Sequence, residues 1–582
     1  MHNEAVSTVS PPLSLWNVRE RNSEAESRLQ RELGIGPLLA PMLVGRGYDE
    51  PAAATKFLHP SLDDLHPGSL LPDFDAAVGE ILAAKERGDR IFVHGDYDVD
   101  GVTSAALFTR FLRTLKCDVV VHVPHRMREG YGIHQDAVQS ARESGAKLFL
   151  TCDCGANAHD QVLAAHEAGM RVVVTDHHEV GETLPEAEAI VNPHRRDSVY
   201  PFPELAGVGV VFKVCEGITR ALAHPVHAFH RAFLDLVALG TVADVMPLID
   251  ENRVFVRHGL PLILGSKKPG IQALLDVSEC RFASMDELKA WHIGFRLGPR
   301  LNAAGRIDDA ALALDLLMQA DPAEAKDVAA KLDVLNEERR AEQNRILDEA
   351  IEIVEGQGLA ESPILIVAGE GWHSGIIGIV AGKLAERYHR PTFVMHLDRE
   401  RGTVKGSARS IPAFHLADAL QAHRSMLLSG GGHAAAAGCA VTVEQFEGWR
   451  ESMLQYAAEV LDADDLVPRW DIDAIVEPAE VTARTVDELA RLEPFGSGNR
   501  TPMFAAHGLI LTEIKTTKSP DHVMPIFRDA RGRVIRTKGF GLGERFQDVA
   551  IGATVDVVFT PELEEYQGER YLKWNLKDFV VR

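Results

Sequence analysis

Arg90-Ile-Phe-Val-His-Gly-Asp-Tyr-Asp-Val-Asp-Gly101 is the stretch on which the reading of this chain turns. Ile91, Phe92 and Val93 form an apolar run of the kind that makes a buried strand. Gly95 ends the run, and aspartates follow at 96, 98 and 100. In an extended segment side chains two apart point the same way, so the spacing predicts that Asp96, Asp98 and Asp100 converge. Carboxylates brought together in water-poor surroundings raise their pKa values or share a cation. A hard divalent ion such as Mg²⁺ or Mn²⁺ is the simplest partner. The plain alternative is a solvated acidic turn. An EF-hand loop, which also starts D-x-D-x-D-G, is excluded: its twelfth position here is Leu107 rather than a bidentate Glu, and a strand precedes it.

Outward from this stretch, helical and extended patterns alternate. Residues 75–87 read as a helix with Ala77, Ile81 and Ala84 on one face, and 103–115 as a helix capped by Thr103 or Ser104. Strands are expected over 119–121, 147–150 and 171–174, with helices over 136–144 and 161–168. This spacing means βαβ units and a parallel sheet. Two more strands run straight into polar residues, one into Cys152-Asp153-Cys154-Gly155 and one into Asp176-His177-His178. Ligands of open α/β sheets sit beyond the carboxyl ends of the strands. Asp98 and Asp100, Asp153, and His177 with His178 are therefore expected at one edge. Asp244 follows the apolar stretch 233–242 beside a Pro-bounded turn, and in isolation reads as an N-cap or turn residue. His94, at a strand end, reads as packing or surface rather than as a ligand.

At 582 residues the chain is too long for one core, so three or four domains are expected. No run of about 18 apolar residues occurs, so no membrane span is expected. The first 21 residues lack a signal-type apolar stretch. Cysteines 117, 152, 154, 215, 280 and 439 are sparse and irregular, which suits reduced thiols in a cytoplasm. The net charge of −24 argues against a polyanionic partner, but residues 515–538 hold seven Lys/Arg against two Asp. A nucleic-acid site is set by such a patch rather than by the whole-chain sum.

The first 45 residues read as a polar arm followed by a short helical piece. Residues 322–355 read as one long helix, with Val328, Leu332 and Leu335 forming one apolar face and Ile346, Ala350 and Ile353 another. The polar middle between them suggests a bridge between two domains. A strand is expected over 364–368, and Gly371-Trp-His-Ser-Gly375 then opens a helix over 376–388. Such a helix start favours an anion, although the glycines can equally serve the turn alone. Gly430-Gly-Gly-His433 is Gly-rich without being a nucleotide-binding fingerprint. From about Trp470 short alternating strands suggest a small barrel, in which Leu572, Trp574 and Leu576 face one way and Lys573, Asn575 and Lys577 the other. Phe540 and Tyr566 are possible base stackers, though core or surface roles suit each.

Asp96-Tyr-Asp-Val-Asp-Gly101, Thr151-Cys-Asp-Cys-Gly155, Asp176-His-His178 and Ala243-Asp244 resemble the motifs of the DHH phosphoesterase superfamily. Gly298-Pro-Arg-Leu-Asn-Ala-Ala-Gly-Arg306, Gly406-Ser-Ala-Arg-Ser-Ile411, Gly430-Gly-Gly-His433 and Glu493-Pro-Phe-Gly-Ser-Gly-Asn499 resemble, within it, the RecJ family of exonucleases. The resemblance runs from about Trp16 to the end of the chain. It implies an α/β fold: a DHH domain with a parallel sheet at 46–320, a connecting helix at 321–356, a DHHA1-type Gly-rich domain at 357–465 and an OB-fold at 466–582, after an arm at 1–45. It implies two metal ions, Mn²⁺ or Mg²⁺, held by Asp98, Asp100, Asp153, His177 and Asp244, with Asp153 as the bridge. Asp96 is grouped with them, its direct ligation left open. His178 would face the scissile phosphate. The Gly-rich domain would close over the metals, with His433 towards the substrate. Ser407 and Arg409 would hold a terminal 5′-phosphate, with Arg126 assisting, and Arg306 an internal phosphate. Tyr131, Arg300, Gly431 and Gly432 complete the substrate-binding set.

The chemistry agrees with the donor types. Phosphodiester hydrolysis needs an activated water and relief of charge on the phosphoryl group, and two hard cations supply both. Oxygen ligands with one imidazole suit Mn²⁺ or Mg²⁺ better than Zn²⁺. The expectation is a metal-dependent exonuclease that degrades single-stranded DNA from the 5′ end to 5′-mononucleotides in repair and recombination. Single-strand-binding protein and recombination helicases are the partners the resemblance implies. Two other classes are a DHH phosphoesterase for small substrates such as pyrophosphate, short oligonucleotides or cyclic dinucleotides, and a non-catalytic nucleic-acid-binding replication factor. The basic barrel counts against the first and the full ligand set against the second.

Overall fold

A computed structural model describes residues 14–126, 128–285, 287–566 and 568–582, apart from the side chain of Tyr566, so that stacking candidate lies outside what is described, as do residues 1–13 of the arm. The chain forms two compact units. One is Lys56–Ala341 with Leu492–Arg500; the other combines the N-terminal residues to Thr55 with Glu342–Arg491 and Thr501–Arg582.

The first unit is built on a five-stranded sheet of order Asp118–His122, Arg90–Gly95, Leu148–Cys152, Arg171–Thr175, Ala189–Val191. Every neighbouring pair is parallel. The sheet is buried on both faces, which is why its strands read as continuous Val/Ile/Leu/Phe runs. The registers Gly95↔Cys152, Cys152↔Thr175 and Thr175↔Val191 bring four strand ends level. Asp96, Asp153, Asp176 and Asn192 are thus the first residues beyond one straight edge. The chain turns to opposite sides after Arg90–Gly95, so its junction with Leu148–Cys152 is the topological switch point, where ligands of such sheets bind.

The aspartates converge by a different route from the extended segment that their spacing predicts. Residues 96–100 are not extended: the helix begins at Val99 and runs to Thr114, with Asp98 as its N-cap, its side chain accepting from Gly101 N at 3.0 Å. Thr103 and Ser104 are buried within the helix instead of capping it. Asp96 lies in the turn and Asp100 in the first helical turn, so they converge through a strand–turn–helix rather than through a period of two. Asp244 caps the C-terminus, not the N-terminus, of the helix Val226–Ala243.

The helix Pro322–Gly356 runs unbroken, with Val328, Leu332, Ile346 and Ala350 buried. Its middle is not uniformly wet. Asn336, Arg339 and Gln343 are buried, on one face at helical spacing, and Arg339 donates to Asn336 Oδ1 at 3.0 Å.

The second unit has a five-stranded sheet of order Ser429–Gly432, Ala436–Thr442, Thr403–Arg409, Thr392–Asp398, Leu365–Glu370, in which only the last pair is parallel. The same unit contains a closed barrel: Phe504–Thr516, Val523–Arg528, Val534–Gly539, Glu569–Val581 and Thr554–Tyr566 pair in turn, and the last returns to the first. Trp574 and Leu576 point into it, as their alternation predicts. The N-terminal segment contributes more than an arm and a helical piece. Leu15–Val18 is a strand that pairs in parallel with Arg469–Ile472, while Ser14 and Trp16 hydrogen-bond the buried Asp578. Leu492–Arg500 folds with the first unit, although its place in the chain puts it among the barrel residues.

Candidate active site

Beyond the sheet edge five carboxylates and two imidazoles meet. Asp100, His177 and Asp244 form one group whose ligand atoms lie within 4.8 Å of one another; Asp96, Asp98 and Asp153 form a second; Asp153, His177 and His178 form a third. His177 Nε2 stands 3.1 Å from Asp153 Oδ1, 3.7 Å from Asp244 Oδ2 and 3.8 Å from Asp100 Oδ2. Asp153 therefore belongs to one triad while touching the other, which is the placement a bridge needs. Asp96 and Asp98 enter beside it, and Asp96, left open on the sequence alone, has its carboxylate in the cluster.

The surroundings explain how these groups are held. Asp153 has φ +63°, a left-handed conformation that Asp tolerates better than most residues, and its N–H donates to Thr175 O at 2.9 Å. A Cβ on Gly207 would come within 2.6 Å of Asp153 Oδ1, so that glycine clears space for the carboxylate. The helix Gly207–Ala221 points its first amides at Asp100, donating from Gly207 N at 2.6 Å and Val208 N at 2.9 Å. Asp176 takes no place in the triads. It accepts from Ala156 N at 2.9 Å, His177 N at 2.7 Å and His178 N at 3.1 Å, and from His178 Nδ1 at 2.8 Å. It ties the two strand ends together and aims His178. The role went unassigned on the sequence, although the invitation was there: an Asp directly before two histidines at a strand end.

Burial first, and then the neighbouring carboxylates, push Asp100 up to about 7 and Asp244 up to about 9, and drive Asp96 and Asp153 well above the usual range. Burial, helped by His178, lowers His177 to about 4, which keeps it neutral and fit to ligate. His178 is raised: burial opposes its charge, but the hydrogen bond and charge of Asp176 prevail. Asp176 stays low through the same bond, against its burial. Asp96 Oδ1 and Asp153 Oδ1 are buried without a hydrogen bond. Orphaned buried acceptors, like charges and a neutral imidazole together fit a hard divalent cation.

A pH dependence follows. Carboxylates with raised pKa values bind more protons folded than unfolded. The metal-free protein is therefore expected to lose stability as the pH rises from the ordinary 3.8 through about 7 and towards 9. A cation displaces those protons, so its affinity rises over the same interval. The Tm increment produced by Mn²⁺ should be larger at about pH 8.5 than at about pH 6. An increment independent of pH would mean that the ion binds elsewhere.

The other candidates fall at different places. Tyr131, 49% exposed, has its hydroxyl 2.9 Å from His178 Nδ1. The Arg126 guanidinium lies over the Tyr97 ring at 4.8 Å, and the charges of Arg126 and Arg306 both act on Tyr97. These two arginines make a cationic rim next to the Asp-rich turn. Arg300, also expected to touch the substrate, is buried and paired with Asp333 of the long helix at 2.8 Å. The Glu493–Asn499 motif braces the turn after Asp244, with Leu248 N donating to Ser497 O at 2.7 Å and Asn499 Nδ2 donating to Leu492 O and Pro494 O at 2.8 Å. His94 is buried, stacked on His122 and Phe149, with Nε2 3.2 Å from Gly132 O, as expected of a packing residue.

In the second unit, Ser407 and Arg409 lie two apart on the strand Thr403–Arg409 and face the first turn of the helix Ile377–Tyr388. A Cβ on Gly378 would stand 3.5 Å from Ser407 Oγ and 3.6 Å from Arg409 Nη2. A hydroxyl, a guanidinium and a helix start thus share one place, a combination suited to a phosphate. Gly431, Gly432 and His433 form an exposed hairpin end, where Gly432, at φ +148°, would clash with Ala437 if it carried a Cβ. On the barrel Phe540 is exposed, its ring edge-on to His522. The basic stretch is partly neutralised, since Lys538 pairs with Glu564, which Lys573 of another strand also reaches.

Comparison with known proteins agrees with this geometry. The family models that match are the DHH family N-terminal domain over 90–241, the DHHA1 domain over 361–459 and the RecJ OB domain over 472–578. A single-stranded-DNA-specific exonuclease RecJ of Bacillus subtilis is 35% identical over 97% of this chain and 71% of its own length. Two crystal structures of RecJ from Thermus thermophilus cover 97% of this chain. One, in complex with Mn²⁺, shows a TM-score of 0.83 at 29% identity over 79% of that chain; the other, with Mg²⁺, shows 0.77 at 27% over 78%.

Proposed function

This chain belongs to the RecJ family of single-stranded-DNA-specific exonucleases, and from that premise we propose how its residues carry out the reaction. It is a hydrolase that degrades single-stranded DNA in the 5′–3′ direction with divalent ions, Mn²⁺ or Mg²⁺, as cofactor. The observation that carries the mechanism is the pair of carboxylate triads joined through Asp153 and His177. Asp100, His177 and Asp244 hold one ion; Asp96, Asp98 and Asp153 hold the other, with Asp153 shared. Bound there, the ions supply an activated water and draw charge from the phosphoryl oxygens.

The chain's own residues do the rest. Asp176 takes the Nδ1 proton of His178 in a hydrogen bond, which leaves Nε2–H as the donor directed at the substrate. The hydrogen bond and charge of Asp176 favour the protonated ring, so His178 carries a proton for the leaving 3′-oxygen. Tyr131 packs edge-on against the imidazole at 5.2 Å and limits its tilt. Arg126 and Arg306 neutralise phosphates of the strand. His433, with the open backbone of Gly431 and Gly432, contributes a substrate contact. The same reading makes this a cytoplasmic enzyme that works with single-strand-binding protein and recombination helicases. Co-purification of those proteins with the Asp153→Asn variant on gapped DNA tests the association, and their absence removes it.

Direction needs a feature that recognises an end. Ser407 and Arg409 at the start of the helix Ile377–Tyr388 are assigned to a 5′-terminal phosphate. A charge-assisted hydrogen bond is worth about 1.5–3 kcal/mol. Arg409→Ala should therefore cut the kcat/KM advantage of a 5′-phosphorylated strand over a 5′-hydroxyl strand by roughly tenfold to a hundredfold. An unchanged ratio would take Arg409 out of end recognition.

The barrel is assigned to longer strands. Lys518, Arg531 and Arg536 are exposed and, among the described residues, without an ion-pair partner. For each of the three that touches a phosphate, replacement by Ala should flatten the salt dependence of strand binding by about 0.7 in log–log slope. Hydrolysis of dinucleotides should not change. A slope equal to the wild type's in the triple variant would leave the barrel's basic loops without a role.

A further inference from the structure

Next to the carboxylate cluster the first unit carries an aromatic patch that none of the steps above uses. The chain is helical over Ala290–His292 and widens into a π-turn over Ile293–Leu297. Such widened turns re-aim the side chains they carry and are frequent at functional sites. Here they leave Trp291 49% and Phe295 73% exposed. Trp291 is nevertheless held in place: the His292 ring stacks on it at 3.7 Å, and the Arg296 guanidinium lies 5.6 Å from its ring centre. Arg296 is itself fixed by donating to Glu279 O at 3.2 Å.

The patch is close to the reaction. Its π-turn packs against the helix Val226–Ala243, whose C-cap is Asp244. Gly298, the next residue of the chain, would carry a Cβ 3.4 Å from that of Ala243. The helix Gly298–Ile307 then leads to Arg306 beside Tyr97. A fixed, exposed indole with a cation beside it and an exposed phenyl ring are thus carried on the segment that packs against the helix ending at Asp244.

We propose that Trp291 and Phe295 form a stacking platform for a base of the bound single strand, with Arg296 adding a cation beside it. Three features select a nucleobase as occupant. An unpaired base offers an apolar face of the size of an indole, and such stacking tolerates any base. The guanidinium complements the electron-rich ring and the nearby phosphates. Stacking acts on the face that every base shares, so the platform holds bases without reading sequence. A base inside a duplex has both faces covered by its neighbours, so the platform favours single strands over paired ones. This inference rests on the exonuclease reading and adds a contact to it.

The test uses the full chain with Mn²⁺ and a 5′-phosphorylated single strand carrying one abasic residue, walked through roughly the first ten nucleotides. In the wild type one or two positions should lower kcat/KM by about fivefold to a hundredfold, the loss expected for one base–aromatic stack. Phe295→Ser and Trp291→Ser should each lower kcat/KM on the intact strand, and at those positions their losses should not add to the abasic loss. Trp291→Phe, which keeps a ring, should recover most of the activity. The Tm increment with Mn²⁺ should match the wild type in all three variants, which checks folding and ion binding separately. Losses that multiply at every abasic position, or no loss in either serine variant, overturn the platform; the latter with a folded protein would leave the patch to a protein partner. Failure of the wild type to release nucleotides from the 5′ end of the intact strand would strike the exonuclease reading itself.

Discussion

Asp153→Asn is expected to abolish turnover while making the metal-free protein more stable at pH 8. Both effects come from one side chain. Asp153 touches both triads, so as the proposed shared ligand its neutralisation would misplace one ion and remove a contact of the other. Loss of groups that merely support metal ligands costs about 10- to 100-fold in affinity or activity. Loss of a direct, shared ligand should exceed the upper end of that range. The stability gain has the opposite origin. Asp153 is buried without a hydrogen bond on Oδ1 and is raised first by burial and then by Asp100, Asp98, Asp244 and Asp96. Its folded pKa lies above the unfolded one, so its ionisation counts against folding increasingly as the pH rises from the ordinary 3.8. Asn keeps the shape and the left-handed backbone, and removes the charge. The Tm of the metal-free variant should exceed the wild type's at about pH 8, the difference should shrink towards about pH 4, and the Mn²⁺ increment should be small. Activity within tenfold of the wild type at saturating Mn²⁺ would remove Asp153 from the centre of the mechanism.

His178→Ala is expected to lower kcat by roughly 10²- to 10⁴-fold, the range for a positioned general acid. Its side chain is 39% exposed and outside the two triads assigned to the ions, so fold and ion binding should persist. The discriminating measurement is the Mn²⁺ increment in Tm. It stays at the wild-type value if His178 handles a proton, and shrinks if His178 is a ligand through its contact with Asp153. Asp176→Asn should show a milder loss of about 10- to 100-fold, because it acts through His178 and the two strand ends.

The parts of this site that were readable from the sequence share a cause. A buried parallel strand has a strong apolar signature, and the residue after it is placed by the sheet. Asp98 with Asp100, Asp153, and His177 with His178 could be assigned to one edge before any distance was known, and the registers at Gly95, Cys152 and Thr175 bring the strand ends that precede them level. The helix start at Val99 was misread because Asp-x-Asp-x-Asp suits an extended segment as well as an N-cap; the hydrogen bond from Gly101 N to Asp98 decides between them. Features that depend on distant segments were not readable. Arg300 sits in a basic motif, and only the long helix, with Asp333, shows that it is already paired. The burial of Asn336, Arg339 and Gln343 reverses the usual meaning of a polar run. The strand Leu15–Val18 has four residues and no pattern of its own; its partner lies more than 450 positions away.

This centre is expected to remove nucleotides from the 5′ end of single-stranded DNA. Its most direct test follows one strand labelled at the 5′ end and the same strand labelled at the 3′ end, each incubated with the full chain and Mn²⁺. The 5′ label should appear at once as a mononucleotide, while the 3′-labelled strand shortens step by step, and a duplex of the same sequence should persist. Release of the 3′ label first, internal cuts, or equal loss of the duplex would contradict the account.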